Sequence, residues 1–213
     1  MSDAGVIRAA TPDDLEAITA IYAHAVRFGT ASFEVDPPTH AEMLERYRAI
    51  VDKGFPYLVA ERRGQVLGYA YANAYRPRPA YRFTVEDSIY VHPDHQGQGI
   101  GRALLEPLIA ACTALGLRQM IGVIGDSRSE GSIALHRSLG FEPVGIARSV
   151  GFKHGRWLDQ VLMQKTLGAG DTAPRQTDNR VLCRPAARFQ GVKPLSLRGF
   201  VPETGGVSRF SRN

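Results

Sequence analysis

An α/β fold of the α+β kind, in a single domain over residues 1–167, is what this sequence predicts, and three observations predict it. Segments with apolar residues at helical spacing, each opened by a capping pattern, alternate with short β-branched and aromatic runs. Two of those runs, in "PYLVAERRGQVLGYAYANAY", meet at Arg63-Gly64, a hairpin signal. A third, ending in "YVHPDH", passes through Gly97-Gln98-Gly99-Ile100-Gly101 into a leucine-bearing helix. A chain of 213 residues with 44% hydrophobic residues has the apolar material for one core of ordinary size.

Taken in order, "AGVIRAA" reads as a first strand, and "TPDDLEAITAIYAHAV" as a helix with Thr11 as N-cap, Pro12 at the first helical position and Asp14 closing the box. Leu15, Ile18, Ile21, Tyr22 and Ala25 supply its apolar stripe. Thr39 with Glu42 opens a second helix that Gly54 ends. The hairpin follows, then the loop "RPRPAYR", then the strand "FTVEDSIYV". After the glycine stretch come the helix "GRALLEPLIAACTALG", expected to bend at Pro107, the strand "QMIGVIG", the short helix "EGSIALHRSLG", and two closing strands around "EPVGIARSVGFK" and "WLDQVLMQKTL". From Gly168 onward the periodicity stops, and residues 168–213 read as a basic extension expected to be disordered.

Charge and composition exclude several classes. Eight of the 26 basic and three of the 21 acidic residues fall in 168–213, which leaves 18 of each in 1–167. The net charge of +5 therefore belongs to the extension, where basic residues are scattered and no nucleic-acid role is expected. No apolar window approaches a membrane span, and "MSDAGVIRAATPDD" has neither the basic nor the apolar region of a signal peptide, so the expected compartment is the cytoplasm. Cys112 and Cys183 read as free thiols, and no metal motif is present.

The glycine stretch poses a physical question, because each glycine at a helix start costs about 0.5–1 kcal/mol of backbone entropy relative to alanine. A strand feeding such a loop onto a helix N-terminus gathers bare N–H groups at the positive end of the helix dipole, a place for a phosphate or diphosphate. It is no Walker A loop, lacking Gly-Lys-Ser/Thr, and a poor dinucleotide fingerprint, lacking the first strand of a βαβ unit.

Gln96-x-x-Gly99-x-Gly101 after "SIYVHPDH", with "GSIALHRSLGF" further on, resembles the GNAT superfamily of acyl-CoA-dependent N-acetyltransferases. "TVEDSIYV", "HRSLGF", "VGFKHGRWLD" and the Arg/Pro loop narrow the resemblance to phosphinothricin and methionine sulfoximine N-acetyltransferases. It implies a mixed, mostly antiparallel sheet splayed between its fourth and fifth strands, acetyl-CoA in the gap and no metal. Pantetheine would lie along Ile89, Tyr90 and Val91, and the diphosphate on Gly97, Gln98, Gly99, Ile100, Gly101 and Arg102. Ser129 and Ser138 fall at further cofactor positions, Ser129 replacing an asparagine common in the family and able to make only part of its hydrogen bonds.

In that family the substrate amine attacks the acetyl carbonyl directly, so proximity and proton transfer matter more than a protein nucleophile. The resemblance puts Glu86 beside the amine, the other reading being a surface strand carboxylate. Asp87, on the opposite face by alternation, is expected toward solvent, although it lies with Ser88 in the substrate segment. His136 stands where many members carry a tyrosine that protonates the leaving thiolate; the alternative is a packing histidine. Arg76, Pro77, Arg78 and Arg82 form the loop expected to bind the carboxylate and phosphinate or sulfoximine of a small anionic amino-acid analogue, against a solvated loop as the bland reading, with Phe33 as an apolar wall. The expected partners are this small-molecule amine and a second copy of the chain. Acetylation of protein N-termini or polyamines is the competing enzymatic reading, and a non-catalytic acyl-CoA sensor or a nucleic-acid binder working through the extension the competitors from other classes. A polyamine pocket would want carboxylates where this loop has arginines.

Overall fold

The structure, a computed structural model, describes residues 5–172 together with the backbone of residues 195–196. Eight strands form one mixed sheet in the order β6-β7-β5-β4-β3-β2-β1-β8. β1 (Val6–Ala9) leads through a short 3-10 turn into α1 (Leu15–Phe28). The expected box is made there: the Thr11 N–H donates to Asp14 Oδ2 at 2.7 Å, while the Arg8 guanidinium holds both Asp14 oxygens at 2.7 Å. α2 (His40–Val51) opens with Thr39 accepting from the Glu42 N–H at 3.3 Å and the Thr39 N–H donating to Glu42 Oε2 at 2.6 Å.

β2 (Tyr57–Arg62) and β3 (Gln65–Ala74) are joined by Arg63 and Gly64, both left-handed at φ 53° and 80°, the conformation a two-residue hairpin with the native strand twist requires. Period-2 alternation sends Tyr69 and Tyr71 of β3 to one face, where they stack on Tyr57 and on Tyr90 and meet Tyr47 of α2 and Tyr22 of α1 through those rings. On the other face Leu104 of α3 (Ile100–Ala114) approaches Gly68, where an added Cβ would sit 3.3 Å from its Cδ1.

β4 (Thr84–Val91) and β5 (Gln119–Gly125) are the parallel pair, joined by the α3 crossover. Their register runs from Thr84↔Gln119 to Asp87↔Gly122 and stops. Beyond it β4 continues on β3 as far as Gly68↔Val91, while β5 continues on β7 (Arg156–Thr166) as far as Gly125↔Gln160. The sheet therefore forks between its fourth and fifth strands, as the resemblance implied. α4 (Glu130–Ser138) lies beside the fork and β6 (Glu142–Lys153) forms the sheet edge. At the opposite edge the two-residue β8 (Leu195–Ser196) pairs with β1. It belongs to the 168–213 extension, whose other expected features lie outside the described residues beyond position 172. Among the described residues no helix is long and apolar enough to cross a membrane.

Candidate active site

The fork leaves the β5-facing backbone of Ser88, Ile89, Tyr90 and Val91 without a neighbouring strand, so their peptide groups on that side are open to a ligand that runs like an added strand. A cavity sits in the gap, lined by Asp87, Ser88, Tyr90, Gly125, Ser129 and His136 among others. Ser129 opens α4 with its hydroxyl donating to the Gly125 carbonyl at 2.8 Å, which leaves lone pairs on the oxygen as acceptors.

At the mouth of the gap Gly97 and Gly99 are left-handed, at φ 71° and 77°, and Gly99 caps α3 with no side chain to satisfy the first-turn N–H groups. Ile100 is buried beneath, and Gln98 folds back, its side-chain amide donating to the Asp94 carbonyl at 3.3 Å. The result is a bare, electropositive helix start. Gly101 has a different purpose from its neighbours: an added Cβ there would lie 3.0 Å from Leu135 of α4, so its missing side chain lets the two helices cross. Arg102 reaches across to Ser138 at 3.1 Å and to Glu106 at 2.9 Å, placing a guanidinium beside the cradle.

Glu86 is half-buried on the face shared with Tyr71 and Ser88. Burial first, and the neighbouring Asp87 charge second, push its carboxyl above the ordinary carboxylate range, while the cationic Arg76 pulls the other way. Of the three loop arginines, all exposed, Arg76 is the one whose charge reaches Glu86, and it lies 5.0 Å over the Tyr75 ring. Arg82 lies 4.5 Å over Phe83 and donates to the Pro79 carbonyl at 3.1 Å, so it serves the loop's own shape. Pro77 and Arg78 are exposed on the same loop.

Asp87 corrects the expectation of a solvent-facing acid. It is 5% exposed, and its Oδ2 lies 3.1 Å from Nε2 of His136, itself 2% exposed. Alternation did put it opposite Glu86, but that face is covered by α3 and α4 rather than by water. His136 Nδ1 lies 2.7 Å from the Ser132 carbonyl, so both ring nitrogens are engaged. Burial alone would lower the His136 pKa; the hydrogen bond and charge of Asp87 outweigh it and raise the pKa above the ordinary imidazole value.

Phe33 has its ring pressed on the backbone of Gly151 and Gly125: a Cβ at Gly151 would fall 2.5 Å from the ring, and one at Gly125 would collide with the Thr30 carbonyl. Sequence reasoning missed what holds this loop. Lys153, 6% exposed, donates to the Ser32 carbonyl at 2.7 Å, and His154 Nε2 lies 3.2 Å from the Gly29 carbonyl, so the β6–β7 turn clamps residues 29–32 from across the site. A lysine beside a tight turn carries no periodic signal that would have marked it.

Residues 18–141 match the Acetyltransferase (GNAT) family. The chain is 58% identical over 166 residues to the phosphinothricin N-acetyltransferase of Alcaligenes faecalis, covering 78% of this chain and 84% of that protein. It is 43% identical over 161 residues to the L-methionine sulfoximine/L-methionine sulfone acetyltransferase of Salmonella typhimurium, covering 76% and 94%. The crystal structure of a GNAT superfamily phosphinothricin acetyltransferase from Sinorhizobium meliloti in complex with AcCoA superimposes with a TM-score of 0.80 at 52% identity, covering 83% of this chain and 95% of that one.

Proposed function

Because this chain belongs to the GNAT family of acetyltransferases, we propose that it transfers the acetyl group of acetyl-CoA to the α-amine of a small anionic amino-acid analogue such as phosphinothricin or methionine sulfoximine. The observation that carries the proposal is the fork between β4 and β5 with the uncapped start of α3 at its mouth. Ile89, Tyr90 and Val91 offer pantetheine a free strand edge, and residues 97–102 offer the diphosphate unshared N–H groups and Arg102. Ser129 and Ser138 flank that path at the two ends of α4. Acetyl-CoA supplies an acyl carbon activated as a thioester.

The chain's own residues then handle the amine. Glu86, its carboxyl raised in pKa by burial, accepts the ammonium hydrogen bond and the proton that must leave before nitrogen can attack. Ser88 and Tyr71 border the same face, Phe33 supplies the apolar side, and Arg76 and Arg78 meet the carboxylate of the substrate. Residues 1–167 carry this chemistry, since β7 ends at Thr166 and Leu167 is 1% exposed. The same reading sets the reaction in the cytoplasm, with removal of toxic amino-acid analogues as its use.

The test is release of CoA from acetyl-CoA across a panel of amines. Phosphinothricin and methionine sulfoximine should give turnover and polyamines none; a protein that binds acetyl-CoA without releasing thiol in the presence of either substrate is a sensor instead. Within that assay Arg76→Ala is expected to raise KM for methionine sulfoximine about tenfold, the loss of one charge-assisted bond, and to leave a decarboxylated analogue nearly unaffected. Arg82→Ala should change neither. Equal losses on both substrates would make Arg76 a structural residue.

A second copy of the chain completes the proposal. The β6 edge and the start of β7 expose Val144, Ile146, Val150, Phe152 and Trp157, at 47–65% of their surfaces, an apolar patch that a water-facing sheet edge does not keep without cause. We place a homodimer contact there. Sedimentation should give twice the mass of one chain for the native protein and a monomer for Ile146→Asp; a native monomer at micromolar concentration would refute the contact.

A further inference from the structure

We propose that Asp87 is a positioning residue that fixes a proton, and with it a positive charge, on His136 at the point where β4 and β5 part. The inference rests on hydrogen-bond inventory. His136 Nδ1 faces a carbonyl oxygen at 2.7 Å and Nε2 faces a carboxylate oxygen at 3.1 Å. A carbonyl only accepts, so Nδ1 carries hydrogen; the Nε2–Oδ2 contact then needs one further proton between ring and carboxyl, and the Asp87 hydrogen bond and charge favour it on the ring, which is the imidazolium form.

The surroundings are shaped for this pair. Gly122, opposite Asp87 on the last paired rung of the fork, is the residue over which the ring passes: a Cβ there would lie 2.8 Å from His136 Cδ2 and 3.1 Å from Nε2. The face of the ring is closed by Phe141, whose centroid is 4.9 Å away in an edge arrangement. Among the described residues the titratable groups that reach the pair are Glu86, next to Asp87 on β4, and the Cys112 thiol of α3, which burial first and the Asp87 charge second push up from its ordinary pKa. β5 contributes Gly122 and the segment after α4 contributes Phe141, neither of which titrates. Asp87 Oδ1 is buried with no hydrogen-bond partner, so the carboxylate has one dominant partner, the ring.

The consequence depends on the reading of the fork as the acetyl-CoA site. His136 and Asp87 both line that cavity. A cation held rigidly there favours negative charge building on a sulfur that leaves beside it, and does so without reorganisation at the moment of reaction. Asp87 also sits next to Glu86 and raises its pKa, so one carboxylate biases both groups.

Two measurements test this. Ring-nitrogen NMR of the resting native protein at pH 7.5 should show both His136 nitrogens protonated, and in Asp87→Asn one of them should be deprotonated at the same pH, a fall of at least about tenfold in proton affinity. The alkaline limb of the kcat profile should move to lower pH by at least one unit in Asp87→Asn and return toward the native position in Asp87→Glu, with KM for acetyl-CoA changed less than about twofold. A neutral His136 ring in the native protein overturns the proposal even if no variant folds, and so does an alkaline limb that stays in place when Asp87 is neutralised. The ring signal is read without substrate, so it stands or falls apart from which amine the enzyme acetylates.

Discussion

Glu86→Gln lowers kcat about 10²-fold while leaving acetyl-CoA affinity within about twofold, the lower end of what a positioned general base contributes. The substitution is nearly isosteric on a strand whose backbone pairs with both β3 and β5, at Asn73 and Ile121, so fold and sheet register are retained and the loss is chemical. The pH dependence sharpens the expectation. Burial and Asp87 raise the Glu86 pKa, so the acidic form persists to higher pH than for an ordinary carboxyl, and kcat rises as pH climbs through that value. In Glu86→Gln this acid limb should vanish, leaving a low and flat profile on that side. A variant that keeps the native limb at the native rate would remove Glu86 from the reaction and leave it as a strand carboxylate.

Gly99→Val should weaken acetyl-CoA binding at least tenfold, measured by calorimetry on a protein whose far-UV spectrum is native. Two costs combine. Gly99 is left-handed at φ 77°, where an L-residue loses about 1–2 kcal/mol and a β-branched one more. The branched side chain would also stand in front of the first-turn N–H groups that the diphosphate is to meet. Dephospho-CoA, which keeps the diphosphate, should lose affinity by the same factor. Native affinity in the folded variant would mean that the helix start does not hold the cofactor.

Most elements were legible because their signals are local. The Thr39-Glu42 box, the Arg63-Gly64 turn and the stripe Leu15, Ile18, Ile21, Tyr22 each need only a few neighbouring residues, and each appears where the sequence put it. The fork came from the family resemblance, since nothing in "FTVEDSIYV" or "QMIGVIG" says that pairing stops after Asp87 and Gly122. Asp87 was misjudged for a definite reason: alternation tells which face a strand residue takes but not what covers that face, and its partner His136 is 49 positions away. The Lys153 bond to Ser32 spans 121 positions and joins two loops, a class of contact with no periodicity to betray it. The glycines divide the same way. Gly97 and Gly99 announce a turn by their spacing, whereas Gly122, Gly125 and Gly151 look like ordinary strand interruptions until His136, Thr30 and Phe33 are seen pressed against them.

Trp157 is the chain's one tryptophan, 65% exposed at the start of β7, with its ring 5.3 Å from Phe152. The protein therefore carries a single strong intrinsic fluorophore, and it stands beside the β6–β7 turn rather than in the core. Its emission reports the polarity around that turn alone: a wavelength typical of indole in water signifies a naked edge, and a blue-shifted one signifies an edge covered by something apolar. Because Lys153 and His154 at the same turn grip the loop bearing Phe33, one optical signal follows both the apolar edge and that loop.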